Sequence, residues 1–276
     1  MVAEIVGGLL SNSLALLADA GHMFSDTAAL ALAMFAMWVA ERPPTASRTY
    51  GYYRIEMLAA LANGAVLVVI AFFILGEAWE RLADPPEVRA PLMLAVASGG
   101  LLMNLIGLWL LGEGKSLSLN MRGAWLHVLT DALGSVGAIV SAILIWSVGW
   151  RWADPMASAL IALFVIYSAW SLLRETVSVL MESAPGHIDV DEVRNALMGV
   201  DHVSQVHDLH VWTITSGMES LSAHVVATPE ASSQGVLADV RDLLRRRFGI
   251  DHITIQIESA ACKQRDACAP ATLHDG

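Results

Sequence analysis

Residues Ala18–Asp26 read ADAGHMFSD, and the reading of His22 and Asp26 within them decides the fold. Set four residues apart, the two side chains share one face of a helix. Their flanks are apolar: SLALLA from Ser13 to Ala18 and TAALALAMFAMWVA from Thr27 to Ala40. Two ionisable groups therefore stand inside a membrane-type helix, where an aspartate costs roughly 2.5–3.5 kcal/mol to insert. Residues kept at such a cost face a cavity and mark an ion pathway. The His-x-x-x-Asp pattern returns once, at His127 and Asp131 in AWLHVLTDALGS, and every other histidine lies from His187 onward.

The rest of the chain supports a bilayer setting. Charged residues make up 16% of the 276 and the mean hydropathy is +0.56, against about 25% charged in a soluble domain. Residues 57–76, 90–112, 132–150 and 155–173 contain no Asp, Glu, Lys or Arg, and each approaches the roughly 20 residues that span a bilayer core. A soluble fold would have to hide all of these helices at once. The net charge of −11, with no basic stripe, argues against nucleic acid as a partner. Cys262 and Cys268, both in the tail, are the only cysteines and make no disulfide framework. The N-terminus has no basic region, and Glu4 stands where a cleavable signal would carry lysine.

In chain order, Met1–Leu17 reads as the second half of a span. Further spans are expected at Asp19–Ala40, Arg54 to about Trp79, Pro91–Leu111, Asn120–Trp146 and Pro155–Leu173. Pro43-Pro44 and Pro85-Pro86 break the helices between them. Arg42, Arg48, Arg54, Lys115, Arg122 and Arg174 fall on one side, against Arg81, Arg89 and Arg151 on the other. The positive-inside rule puts the first group, and the C-terminal part of the chain, in the cytoplasm.

From about Pro185 the composition becomes that of a soluble domain, with seven Lys/Arg and thirteen Asp/Glu over residues 185–276. Helices are expected at Asp189–Met198 and Ala231–Phe248, and strands at Val203–Ile214, Ser220–Thr228 and His252–Ile257, with Ser216-Gly217 as a turn. The order αββαβ is a small two-layer α+β domain. The expected division is a transmembrane domain over 1–180, a cytoplasmic domain over 185–258 and a flexible tail over 259–276.

Neutral imidazole and carboxylate are both ligands of Zn²⁺, which takes four in a tetrahedron. His22, Asp26, His127 and Asp131 supply four from two helices. Two carboxylates neutralise the dication, which makes the loaded site tolerable in a low-dielectric setting. Ligands shed protons to bind metal, so protons and metal compete for the same atoms, as metal–proton exchange requires. The plainer reading makes each histidine a helix-packing residue bonded across helices; repetition of the pair in a region without other histidines weighs against it. Asn63, Asn104, Ser135 and Ser141 read as hydrogen-bonding between helices, Glu56 and Glu77 as helix-end groups, and Asp19 as an outer-end polar contact or ion-exit group.

The stretches SNSLALLADAGHMFSD, YGYYRIEMLAAL, RGAWLHVLTDALGSVG, VHDLHVWTITSG with SAHVV, and TIQIE resemble the cation diffusion facilitators, in particular the zinc-transporter and cobalt–zinc–cadmium-resistance branch. The resemblance runs from Ala3 to about Glu258. It implies six transmembrane helices and a cytoplasmic metallochaperone-like domain, working as a homodimer in the bilayer of a bacterial inner membrane. It implies export of Zn²⁺ against protons by alternating access, without a prosthetic group. His22, Asp26, His127 and Asp131 fall on its transport-site positions, and a His at the first is associated with zinc over cadmium. Met1 falls inside the family's first helix, so that helix is expected truncated. Arg48 and Tyr52 stand where some members carry loop histidines, so no metal site is expected there. In the cytoplasmic domain His207, His224 and Glu258 match ligand positions, whereas Gln256, and Gly235 or Val236, stand where others have histidine. His207 and His210, three apart on a strand, are expected on opposite faces. The tail cysteines are a further possible metal contact across a dimer.

Three functions compete on these residues. The leading one is a zinc/proton antiporter. A membrane metalloenzyme would need an open metal position and a base, for which Glu56 is the sole candidate, with no nucleophile motif beside it. A metal-binding sensor, or an inactive partner subunit in a transporter heterodimer, is the alternative to transport.

Overall fold

A run of apolar residues broken by Asn12-Ser13 gives the first two helices. α1 (Val2–Ser11) ends where Asn12 turns into the left-handed region at φ 57°, a conformation asparagine tolerates. α2 then begins at Leu14 and runs to Ala40, earlier than the Asp19 start expected. The reason is a capping group far away in the sequence: Asp154 accepts hydrogen bonds from Ser13 Oγ at 2.6 Å, Leu14 N at 2.8 Å and Ala15 N at 3.2 Å. α3 (Ile55–Ala83), α4 (Ala90–Gly112), α5 (Leu119–Val148) and α6 (Ala153–Leu180) follow. This computed structural model describes residues 1–112 and 119–259; Lys115, Cys262, Cys268 and the tail from residue 260 lie outside them.

α2 to α6 supply five spans long and apolar enough to cross a membrane, and α1 is a shorter apolar helix. The chain forms two compact units, one of Met1–Phe35 with Ala59–Leu173, the other of Ala36–Leu58 with the residues from Arg174. Within the first, helices meet through alanines: Ala15, Ala97, Ala138 and Ala142 around Met93 in one cluster, Ala71, Ala162 and Ala169 in another. Lipid removes the hydrophobic drive between helices, so close approach of small residues does the packing. α1 approaches α4 at Gly7, where a Cβ would fall 2.6 Å from Val96 Cγ2. Large residues such as Phe72, Phe73, Trp79 and Trp109 face outward.

The loops at one end of this unit are tied together. Arg81 donates to Asn12 O at 2.9 Å, Arg151 pairs with Glu87 at 2.8 Å, and Trp152 Nε1 donates to Leu82 O at 3.1 Å. The α1–α2, α3–α4 and α5–α6 connections therefore share one end.

In the second unit, α7 (Val190–Met198) starts at Asp189, whose carboxylate accepts from Asp191 N and Glu192 N. β1 (Val203–Thr215) and β2 (Met218–Ala227) form an antiparallel hairpin, and β3 (His252–Glu258) lies parallel to β2, in the order β1-β2-β3. Gly217, at φ 73°, makes the hairpin turn. α8 is Ser233–Leu243 and the chain continues as a π-helical turn, Leu244–Phe248, instead of the single helix expected over Ala231–Phe248. Ser232 caps its start, and Gly249 in the left-handed region ends it. The wide turn keeps Leu244 buried beside Ile250 while Arg245, Arg246 and Arg247 pair with Asp251, Asp242 and Glu192. The core lies between the helices and one sheet face, around Val193, Leu197, Val211, Leu221, Val225 and Val240.

Candidate metal centres

The i,i+4 spacing works as expected on both helices of the first unit. α2 presents His22 and Asp26, α5 presents His127 and Asp131, and the four alternate as a ring. His22 Nε2 stands 3.7 Å from Asp26 Oδ2 and 3.7 Å from Asp131 Oδ1; His127 Nε2 stands 3.5 Å from Asp26 Oδ2 and 3.8 Å from Asp131 Oδ2. Each imidazole thus faces one carboxylate on its own helix and one on the other. Ligands held by zinc at roughly 2.0–2.2 Å in a tetrahedron stand about 3.4 Å apart, so the ring is slightly wider than a closed zinc shell. The ligand atoms of His22, Asp26 and Asp131 all lie within 4.8 Å of one another, and His127 closes the ring with its shortest distance, 3.5 Å to Asp26. His127 stands at the edge, 49% exposed against 13% for His22.

Buried atoms of this ring lack hydrogen-bond partners: His22 Nδ1, Asp26 Oδ2 and Asp131 Oδ1. A buried acceptor without a donor is costly, and a cation answers that cost. Ser25 Oγ donates to Asn63 Oδ1 at 3.1 Å and Asn104 Nδ2 to Ser135 Oγ at 3.5 Å, tying α2 to α3 and α4 to α5. Ser141 differs from its expected role: its Oγ has no partner among the described residues and lines a cavity instead. That cavity, about 530 Å³, is bounded by Asp19, His22 and Asp131 and extends along α5 and α6 to Trp150 and Met156.

The second cluster sits on the sheet face away from the core. His207 Nε2 stands 3.1 Å from Glu258 Oε2, His224 Nδ1 3.0 Å from Glu258 Oε1, and the two rings meet edge-on at 5.1 Å. Gln256 Nε2 donates to Glu258 Oε1 at 2.9 Å. Partial burial pushes the Glu258 carboxyl up, but the bond and charge of His207, then Gln256 and His224, outweigh it and hold the group below the usual carboxylate range.

One expectation fails here. His207 pairs with His224 and His210 with Ser222, so between these pairs Asp208 and Leu209 of β1 oppose Ala223 of β2 alone. This bulge, with Asp208 at φ 51°, returns His207 and His210 to the same face. It also turns Asp208 inward to the cluster, 3.0 Å from His210 Nε2 and 3.7 Å from His224 Nε2. Asp208 escaped sequence reading because a bulge leaves no trace in hydrophobic alternation. Elsewhere, Arg48 lies over the Tyr52 ring at 4.5 Å. Glu56, the one candidate base for an enzyme, accepts instead from the hydroxyls of Thr215 and Ser216.

Comparison with known proteins settles the family. The cation efflux transmembrane domain matches residues 1–181, and the cation efflux protein cytoplasmic domain matches residues 185–260. The chain belongs to the cation efflux family. Relatives include the metal cation efflux system protein CzcD of Cupriavidus metallidurans, 44% identical over 97% of this chain and 85% of that protein. The cadmium, cobalt and zinc/H(+)-K(+) antiporter of Bacillus subtilis is 43% identical over 98% and 89%. The zinc transporter ZitB of Escherichia coli is 43% identical over 96% and 85%. Among solved structures, the metal-bound C-terminal domain of the CzcD transporter from Cupriavidus metallidurans is 38% identical, covering 26% of this chain and 99% of that one, with a TM-score of 0.25. This cation efflux protein is a divalent metal cation transporter and not an enzyme. It is an integral inner-membrane protein with its C-terminal domain in the cytoplasm.

Proposed function

We propose that the chain exports Zn²⁺ in exchange for protons, carrying it on His22, Asp26, His127 and Asp131, by alternating access in a homodimer. The observation that carries this reading is the alternating ring of two imidazoles and two carboxylates, set 3.5–3.8 Å apart and open to a cavity. Two carboxylates balance the charge of a dication, and the orphaned buried atoms favour occupation by a cation. When protons take these sites the ligands lose their lone pairs, so the same atoms release the metal. Trp150 lies at the loop end shared by the α1–α2 and α5–α6 connections, opposite the end where α6 leads toward the cytoplasmic domain. The cavity therefore favours release on the far side. Names of the relatives that specify zinc and proton antiport support both the cargo and the coupling.

His207, His224 and Glu258 are proposed as a metal seat of the cytoplasmic domain, with donor types that suit zinc. The test of the transport reading is zinc flux in proteoliposomes under an imposed pH gradient. The parent is expected to move zinc with the gradient and Asp131→Ala to abolish it. Normal flux through that variant removes the four-residue seat.

A further inference from the structure

Asp19 lies on α2 one turn before His22, is 4% exposed, and lines the same cavity as His22 and Asp131. Among the described residues no hydrogen-bond donor stands against its carboxylate. The charged groups near it are Glu4 of α1, Asp131 of α5, and the Met1 ammonium just ahead of α1, which is itself engaged by Glu4 Oε2 at 3.0 Å. Glu4 is itself buried at 5%. An aspartate inside a membrane protein, with acids as neighbours and no donor, calls for a cation.

The geometry around Asp19 is layered. Opposite it stands Gly134, where an added Cβ would fall 3.1 Å from Asp19 Oδ1. Gly134 follows Asp131 by three residues on α5, as Asp19 precedes His22 by three on α2. α2 runs away from the loop end that holds Asn12 and α5 runs toward it, so both steps lead the same way. At about 1.5 Å per residue, the Asp19–Gly134 layer lies roughly 4.5 Å beyond the His22–Asp131 layer, on the side of the cavity that reaches Trp150. The glycine leaves room at that level for the carboxylate, which lines the cavity.

We propose that Asp19 is the first release station of the export path, a carboxylate that the departing divalent cation touches after leaving the four-residue seat. This rests on the transport reading above. A single carboxylate binds a dication far more weakly than four ligands do, which suits a group that must let the ion go.

The test uses the full chain. Asp19→Asn is expected to lower maximal zinc flux in proteoliposomes at least tenfold. Zinc affinity of the detergent-solubilised protein, read by a competing dye, should stay within about threefold of the parent, and Asp19→Glu should restore part of the flux. In a background carrying Cys262→Ser and Cys268→Ser, Asp19→Cys should give the thiolate-to-cadmium charge-transfer absorption when cadmium is added, whereas the background alone should not. Parental flux in Asp19→Asn together with no such band in Asp19→Cys overturns the proposal while leaving the seat intact. Loss of seat affinity in Asp19→Asn overturns it by making Asp19 part of the seat. Normal flux in Asp131→Ala removes the seat, and the proposal with it.

Discussion

Asp154, fully buried in the first turn of α6, accepts a 2.6 Å hydrogen bond from Ser13 Oγ, 141 residues away in the chain. Its carboxylate also accepts from Leu14 N and Ala15 N, while Ser13 Oγ accepts from Leu16 N at 3.2 Å. Asp154 and Ser13 together thus satisfy the first open N–H groups of the helix that carries His22 and Asp26, and fix where that helix begins.

Asp154→Ala should therefore destabilise the membrane unit, at roughly 1–3 kcal/mol for each buried donor left without a partner. Thermal unfolding in detergent is the measurement. Asp154→Asn, which keeps an acceptor oxygen, should lose less. Equal stability of Asp154→Ala and the parent would contradict the capping role.

The two histidines of the ring should not be equivalent. His22 is largely buried, whereas His127 is half-exposed at the edge of the ring. His22→Ala should weaken zinc binding more than His127→Ala does, read by competition titration of the detergent-solubilised protein. A reversed order would mean the loaded ring differs from the one seen here.

Acid should loosen the cytoplasmic sheet through Glu258. Its carboxyl is held below the ordinary value, first against the upward push of burial, by His207, Gln256 and His224. A depressed acid stabilises the fold above its unfolded value of about 4.3 and loses that contribution as pH falls through its folded value. Protection of the β3 amides in the metal-free chain, taken relative to the intrinsic exchange rate at each pH, should fall below about pH 4 in the parent, and Glu258→Gln should flatten that part of the profile. An unchanged profile in the variant would locate the acid sensitivity elsewhere.

The bulge gives Asp208 a backbone requirement and a chemical role that two substitutions separate. At φ 51°, glycine fits without strain, whereas valine there costs roughly 1–2 kcal/mol. Asp208→Gly should leave thermal stability of the domain near that of the parent and Asp208→Val should lower it. Both should weaken zinc binding at His207, His224 and Glu258, because Asp208 faces the outer nitrogen of His224. The binding change is best measured in an Asp131→Ala background, where the proposed membrane seat is disabled. Unaltered affinity in Asp208→Gly would leave Asp208 as a turn residue alone.

What could be read from residues in order was whatever depends on local spacing. Uncharged runs marked the spans because bilayer thickness sets helix length, and each His-x-x-x-Asp pair shared a face because the helix repeats every 3.6 residues. Alternation over His252–Ile257 marked a strand, and Ser216-Gly217 marked a turn. Tertiary structure alone decided that the two pairs alternate as one ring, that Asp19 stands in the next layer against Gly134, and that Asp154 starts α2. It also decided that a bulge brings His207, Asp208 and His210 to one face. These relationships join residues distant in the chain or turn on a single backbone angle, and neither leaves a periodic signal in the sequence.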